Sequence, residues 1–365
     1  MFLTVIIFIL VLGLLVFVHE FGHFITAKKA GAKVEEFGFG FPPRIFSIKK
    51  GETIYSINLF PIGGFVKIYG ENGEGKEEEK KDKARAFYNF PLKIRALILS
   101  AGVLMNLFLA IFLLSVGHFV GLPTAIEDAA SGNFKDLKVQ IAQVVPGLPA
   151  DEAGLRIGDQ IISFTSDSSV IGVAEISQVQ NFTSRHRGEE IVVLIGRGNE
   201  VLEKSITLLS EPPQAGEFLG VALVQTAIIS QPWYRAIISG LADSFSLLWL
   251  ICYTLGLIIW QLITTGRAMI EGGGPVYIFN LTGQAAQLGF IYVLQLTAIL
   301  SINLAIINIL PLPALDGGRL IFLALEKIKG SPVSQKVEGL SHTLGFVFLI
   351  LLMVAITWHD IVKLF

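Results

Sequence analysis

Long apolar runs separated by polar connections dominate this chain. From Phe2 to Val18 no residue is charged, and residues 1–27 are predicted to form a membrane-spanning helix. Three further segments contain apolar runs about long enough to span: residues 93–121, 289–318 and 342–360. The pattern predicts a polytopic α-helical membrane protein with about four transmembrane helices.

The apolar segment at residues 233–265 allows two interpretations. Its uncharged part, Phe245 to Ile263, is about long enough to span. If it spans, the chain near Asp316 emerges on the side opposite His19; if it lies in the interface or re-enters, that stretch reaches the cytoplasmic side. Positive residues follow this stretch and are typical of cytoplasmic loops, which favours an interfacial or re-entrant helix: Arg319, Lys327, Lys329 and Lys336.

The two regions that follow the first helix in the sequence have a different pattern. Residues 34–70 alternate apolar with polar and glycine, which predicts a membrane-associated β-hairpin or sheet. Gly63 and Gly64 would let this backbone approach another chain closely, so we expect an edge strand that could pair with an extended peptide, with an ordinary hairpin as the alternative. Residues 71–92 begin with a mixed-charge run and are predicted to be a flexible cytoplasmic loop.

Residues 125–210 have the composition of a soluble domain. A strand-like alternation at 138–145 is followed by Pro-Ala-x-x-Ala-Gly-Leu-x-x-Gly-Asp-x-Ile, from Pro149 to Ile161. This run resembles PDZ domains, and the length suits one copy. The resemblance implies binding of a peptide or a C-terminus by strand addition; a spacer is the alternative.

Composition agrees with a protein largely in lipid. Hydrophobic residues make up 52% of the chain and charged residues 16%. The net charge is −2 and no basic block is interleaved with aromatics, so nucleic-acid binding has no support. Cys252 is the single cysteine, so a zinc ion here must be held by histidine and carboxylate.

The candidate chemistry begins at the end of the first apolar run, in His19-Glu20-Phe21-Gly22-His23. On a helix the two histidines lie on one face and can bind one zinc ion, with Glu20 beside them as the catalytic base. A chance match, or histidines that cap a span, is the alternative. Ionisable groups inside a membrane are costly unless paired or coordinated, which favours function.

A second group of candidates lies between Asn308 and Arg319. Pro311 and Pro313 break the helix, and Asp316 then offers a third ligand, leaving a fourth position for water. An aspartate at a solvated helix end is the alternative. Asn106, at mid-membrane depth in residues 93–121, is interpreted as an amide that bonds a neighbouring helix rather than as a direct participant in the chemistry.

Loop charges predict the topology. Lys28, Lys29 and Lys33 follow the first helix and favour a cytoplasmic loop. The N-terminus, the C-terminus and the PDZ-like region are then extracytoplasmic, the protein is a multi-pass protein of the cytoplasmic membrane, and the active site lies near its cytoplasmic side.

Together these motifs resemble the bacterial site-2 protease family, the intramembrane zinc metalloproteases of peptidase family M50. The resemblance rests on residues 19–23, 61–67, 102–106, 274–276 and 308–317, spread over nearly the whole chain. It implies one Zn²⁺ per chain, single-span membrane-protein substrates, a sheet near the metal, a PDZ module that controls access, and contact of Asn308 with the substrate backbone. Pro311 and Gly317 fall within the same motif.

The expected function is hydrolysis of peptide bonds in or near transmembrane segments during regulated intramembrane proteolysis, for example of an anti-sigma factor or a signal-peptide remnant. One departure is that the enterobacterial form carries two PDZ domains, whereas this chain has room for one. An inactive PDZ-bearing scaffold predicts loss of Glu20 or Asp316, and both are present. A zinc peptidase that trims lipidated C-termini predicts neither the PDZ-like run nor the Leu-Asp-Gly motif.

Overall fold

The computed structural model describes residues 2–71, 80–125, 137–166, 169–198, 200–211, 218–266 and 273–362. The chain divides into two compact units. The first contains residues 1–114, 240–282 and 295–365, and the second contains residues 115–239 and 283–294.

The described helices include five long ones and four shorter ones. They are α1 (Phe2–Ala30), α2 (Leu92–Val120), α3 (Pro149–Glu152), α4 (Ile176–Arg185), α5 (Trp233–Thr265), α6 (Pro275–Leu288), α7 (Phe290–Ile309), α8 (Asp316–Lys329) and α9 (Gln335–Val362). Short 3₁₀ helices occupy Lys80–Arg85 and Phe87–Asn89. Part of the loop predicted at 71–92, residues 72–79, lies outside the described residues.

The described strands are β1 (Val34–Lys50), β2 (Thr53–Ile68), β3 (Leu122–Ala125), β4 (Lys138–Val144), β5 (Gln160–Ser166), β6 (Ser169–Gly172), β7 (Glu190–Arg197), β8 (Glu200–Thr207) and β9 (Val221–Ile229). The first two belong to the first unit and the others to the second.

The helices confirm a polytopic helical membrane protein, and they show that the apolar segment at residues 233–265 is also long enough to span. Among the described residues, five helices are long and apolar enough to cross a membrane, namely α1, α2, α5, α7 and α9, whereas the sequence predicted about four. The difference is α5, which is one unbroken helix of 33 residues. No residue of its most apolar stretch is buried, whereas 44% of the corresponding stretch of α2 is.

In the first unit α1 and α2 approach each other closely. A Cβ added at Gly22 would lie 2.4 Å from the carbonyl oxygen of Ala101, so the two backbones are in contact there. Because no side chain separates the helices at this level, the residues that follow Ala101 on α2 reach the histidine face of α1.

The cytoplasmic end predicted for α1 is fixed by an ionic contact. Lys28 Nζ donates to Glu52 at 2.7 Å, and Arg85 donates to the same carboxylate at 2.6 and 2.8 Å. The hydrogen bonds from Arg85 and Lys28 lower the pKa of Glu52 to about 2. The end of α1 is thereby tied to the start of β2 and to the segment that leads into α2.

Strands β1 and β2 pair with each other along more than one stretch. Residues 36–39 of β1 have partners at both 64–67 and 54–57 of β2, while residues 44–50 pair with 53–58. Residues 64–68 therefore form an outer segment that pairs with β1 on one side. Within the described residues, no other strand pairs with its outer edge.

The second unit contains a mixed α and β domain. Its strands follow the order β3-β9-β4-β5-β7-β8, with β6 on β5. Fully buried apolar residues of the sheet, including Val139, Ile161 and Phe164, form the core with Val179 and Phe182 of α4. Buried Asp159, in the predicted Gly-Asp turn, accepts two hydrogen bonds from Arg197, at 2.6 and 2.7 Å, which explains why the turn carries an acid.

Candidate active site

The histidine pair on α1 is buried and each ring is oriented through Nδ1. His23 Nδ1 lies 2.8 Å from the carbonyl oxygen of Ile98, which can only accept, so Nδ1 carries the proton. In the neutral ring Nε2 then has a free lone pair. The Ile98 carbonyl gives no side-chain signal in the sequence, and its role emerges only from the packing of α2 on α1.

His19 is oriented by Asn106 on α2. The amide nitrogen of Asn106 lies 3.2 Å from His19 Nδ1, and its Oδ1 is buried with no hydrogen-bond partner among the described residues. Rotating the amide by 180° brings Oδ1 onto Nδ1–H and leaves His19 Nε2 with a free lone pair as well. Asn106 therefore does bond a neighbouring helix, as predicted, and the group it bonds is His19.

Asp316 completes a three-atom cluster. Its Oδ2 lies 3.1 Å from His19 Nε2 and 3.3 Å from His23 Nε2, and the two Nε2 atoms are 3.2 Å apart. Among the described residues these three form the group of ligating side chains that could hold a metal ion.

The cluster fits a zinc ion. Three lone-pair atoms face one another, and the His23 tautomer leaves no proton on Nε2 to bridge them. In a tetrahedron with bonds of about 2.0–2.1 Å, ligand atoms are about 3.3–3.4 Å apart, close to the separations here. Two imidazoles and one carboxylate are also a ligand set that catalytic zinc sites use.

A broken helix delivers the aspartate. Helix α7 ends at Ile309, Pro311 and Pro313 follow, and Asp316 is the first residue of α8. A Cβ at Gly317 would lie 2.2 Å from the carbonyl oxygens of Ile309 and Leu310, so only glycine allows α8 to start this close to the end of α7. The chain reversal places Asp316 beside α1.

Glu20 and the β2 edge line the cavity at this cluster. The cavity has a volume of about 730 Å³ and is lined by His19, Glu20, His23, Asp316, Arg319 and residues 64–71, among others. A Cβ at Gly64 would lie 3.1 Å from Glu20 Cγ, so the strand backbone passes next to this side chain. Gly63 precedes this lining and has a φ of +104°, which favours glycine.

Asn308 and Gly102 also lie at the ligand cluster, and the sequence indicated a role in the site only for Asn308. Asn308 reaches the cluster, with its amide nitrogen 3.4 Å from His19 Nε2. In the sequence Gly102 is only the first residue of the 102–106 motif, yet a Cβ there would lie 2.3 Å from His23 Nε2 and 2.7 Å from His19 Cε1. The spacing Gly-x-x-x-Asn on α2 is the signal that could have indicated this contact, because it puts both residues on one helix face.

The site thus has the parts of a zinc peptidase: a carboxylate next to a two-histidine, one-aspartate cluster, set among apolar helices. The sequence model of peptidase family M50 matches residues 7–352, and the chain belongs to that family. It is an intramembrane zinc metalloprotease of the site-2 type and a multi-pass membrane protein, as the sequence predicted.

Named relatives support the same assignment. The chain is 32% identical to the zinc metalloprotease RasP of Oceanobacillus iheyensis over 99% of both chains. It is 32% identical to RasP of Geobacillus kaustophilus over 99% of this chain and 98% of the relative. It is 30% identical to the regulator of sigma-W protease RasP of Bacillus subtilis over 99% of both chains.

Proposed function

We propose that this chain holds one Zn²⁺ through His19, His23 and Asp316 and cleaves single-span membrane proteins with Glu20 as general base. The observation that carries the proposal is the convergence of three lone-pair atoms within 3.3 Å in a cavity that Glu20 also lines. When bound, zinc activates a water molecule and polarises the scissile carbonyl.

Glu20 moves the protons. Its carboxylate accepts a proton from the attacking water and passes it to the nitrogen of the leaving amine as the peptide bond breaks. Asn308, whose amide lies at the edge of the cluster, donates to the substrate backbone. Ile98 and Asn106 keep both imidazoles in the tautomer that leaves Nε2 free.

Substrate binds along residues 64–68 of β2. A helical substrate hides its peptide bonds in its own hydrogen bonds, so it must be extended before cleavage. The outer edge of this segment has main-chain groups without a strand partner among the described residues, and it lines the cavity. Strand addition there replaces the helical hydrogen bonds that the substrate loses. Because Gly64 has no side chain, the backbone of this strand can lie directly beside Glu20.

The second unit is a PDZ domain that binds a peptide or C-terminus of the substrate or a regulator. Residues 221–225 of β9 pair with β4 on one side, and β3 pairs only with residues 226–229. Within the described residues the other side of 221–225 has no strand partner. Gln225 donates to the carbonyl oxygen of Ala174, just before α4, so a groove between this strand and α4 suits strand addition.

Four of the five candidate spans cross the membrane, and α5 lies in the outer interface. Gly345 of α9 packs on Pro313 near the metal, whereas Asp360, about 22 Å further along α9, accepts from the Tyr277 N–H of α6. Helix α6 therefore starts on the side opposite the metal. Helix α2 leads from Asn106 towards the same side, so the chain between α2 and α6 begins and ends there, and α5 within this stretch does not cross. The basic residues after α1 and in α8 support a cytoplasmic position for the metal end, as the positive-inside rule predicts.

The test uses purified full-length protein in detergent with a model single-span substrate and zinc quantified in each sample. Glu20→Gln is expected to lower the cleavage rate by about 10²–10⁴-fold while zinc stays bound, because general bases contribute that much. Glu35→Gln is the matched comparison: Glu35 lines the same cavity, but its carboxylate pairs with Lys67 at 2.9 Å. Equal losses in both variants, or retained cleavage in Glu20→Gln, would contradict the role of Glu20.

A further inference from the structure

The loop that delivers Asp316 is held by α9. The Ala314 N–H donates to Nδ1 of His342, at 2.9 Å. One turn later on the same helix, a Cβ at Gly345 would lie 2.4 Å from the carbonyl oxygen of Pro313. Helix α9 thus contacts two consecutive loop residues, and the second of them precedes Asp316 by two positions.

Ala314 has a backbone conformation that needs such support. Its φ is +77°, and it is the single non-glycine residue with positive φ in the described part of the chain. An L-residue persists in this region only where its surroundings hold it there. The hydrogen bond to His342 is directional, and its donor is the Ala314 nitrogen, which is one end of the N–Cα bond that φ describes. It is therefore suited to fix this conformation.

The state of the His342 ring indicates that this bond has a function. Because Nδ1 accepts the Ala314 N–H, the ring proton is on Nε2, which is buried with no hydrogen-bond partner among the described residues. The ring packs against Phe322 of α8, with centroids 5.7 Å apart, and lines a second cavity of about 610 Å³. An apolar ring would fill this place without an unpaired N–H, but it could not accept the Ala314 hydrogen bond.

We propose that His342 is a positioning residue of the metal centre: by accepting the Ala314 N–H it fixes the loop in the shape that presents Asp316 to the two histidines. It touches neither substrate nor the ligand cluster and acts through the loop. The inference rests on the proposed role of Asp316 as a ligand. Sequence reasoning could not select this histidine, because it lies 26 residues after Asp316 and belongs to none of the motifs that point to the metal centre.

The experiment measures zinc loss to a chelator and steady-state cleavage for full-length variants in detergent. His342→Leu removes the acceptor and should release zinc at least about 10-fold faster, because groups that orient metal ligands typically contribute 10–100-fold to affinity. Its kcat should fall with little change in KM. His342→Asn places an amide oxygen where Nδ1 was and should stay within about threefold of wild type.

His359→Leu is the matched control, since His359 is an exposed histidine near the far end of the same helix. It should leave zinc release unchanged. Wild-type zinc release in His342→Leu would overturn the inference, and so would equal losses in His342→Leu and His342→Asn, because packing alone would then explain them. If His342→Leu does not fold, the Asn variant decides alone: retained zinc supports the inference and zinc loss overturns it.

Asp316→Asn belongs in the same series, because it separates the two proposals. If that change leaves zinc bound, the ligand assignment itself fails. If it removes zinc while His342→Leu does not, only the positioning role fails.

Discussion

The two sides of the metal centre are built in opposite ways. On one side, α1 presents His19, Glu20 and His23 from an unbroken helix, where a spacing of four residues fixes the geometry. On the other side, Asp316 arrives at the end of a loop with two prolines and a positive φ. The helical side is specified by local sequence, whereas the loop side depends on contacts with α7 and α9.

The strongest test of this comparison removes the proposed ligand on the loop side. Asp316→Asn replaces a carboxylate with a neutral amide of the same size, so the loop keeps its shape and only the ligand is weakened. We expect zinc content after purification to fall and cleavage to drop by more than about 100-fold, beyond the range for groups that merely orient ligands. Full zinc content would mean that the loop side is not part of the centre.

A second change addresses the helical side without replacing a proposed ligand. Gly102→Ala adds a Cβ that would lie 2.3 Å from His23 Nε2, so α2 or the histidines must move. Overpacking of this kind costs about 1–3 kcal/mol, and zinc retention should fall with it. Gly256→Ala on α5, where a Cβ meets nothing within 4 Å, is the matched control. Zinc retention equal in both variants would show that the helical side tolerates displacement.

The smallest expected effect concerns the end of α1. Glu52→Gln weakens the contact that ties Lys28 to Arg85 and should lower the midpoint of thermal unfolding slightly. The folded pKa of about 2 lies below the ordinary value of 4.5, so the carboxylate's contribution is complete above about pH 4.5 and is lost as the pH falls towards 2. The difference from wild type should therefore shrink over that window. A difference that does not change with pH would exclude the ionic contact as its cause.

The same contrast explains what the sequence could reveal. The His19–His23 pair follows from helical periodicity, and Asp316 could be selected because the prolines end a helix just before a carboxylate. The partners of the rings could not be predicted: the Ile98 carbonyl has no side-chain signature, and the contact of Asn106 with His19 depends on how α2 packs on α1. The β region was predicted within two residues of its observed end, but the double pairing of residues 36–39 depends on long-range register.

Substrate binding at the outer edge of residues 64–68, as proposed above, has a consequence for selectivity. A strand edge recognises a partner through its peptide groups, which every sequence shares. A protease that reads its substrate in this way discriminates weakly between side chains. Under the proposed binding mode, the choice of substrate would depend on how easily a membrane helix unwinds, and helix-weakening glycine or proline near the cleavage point would act as the recognition signal.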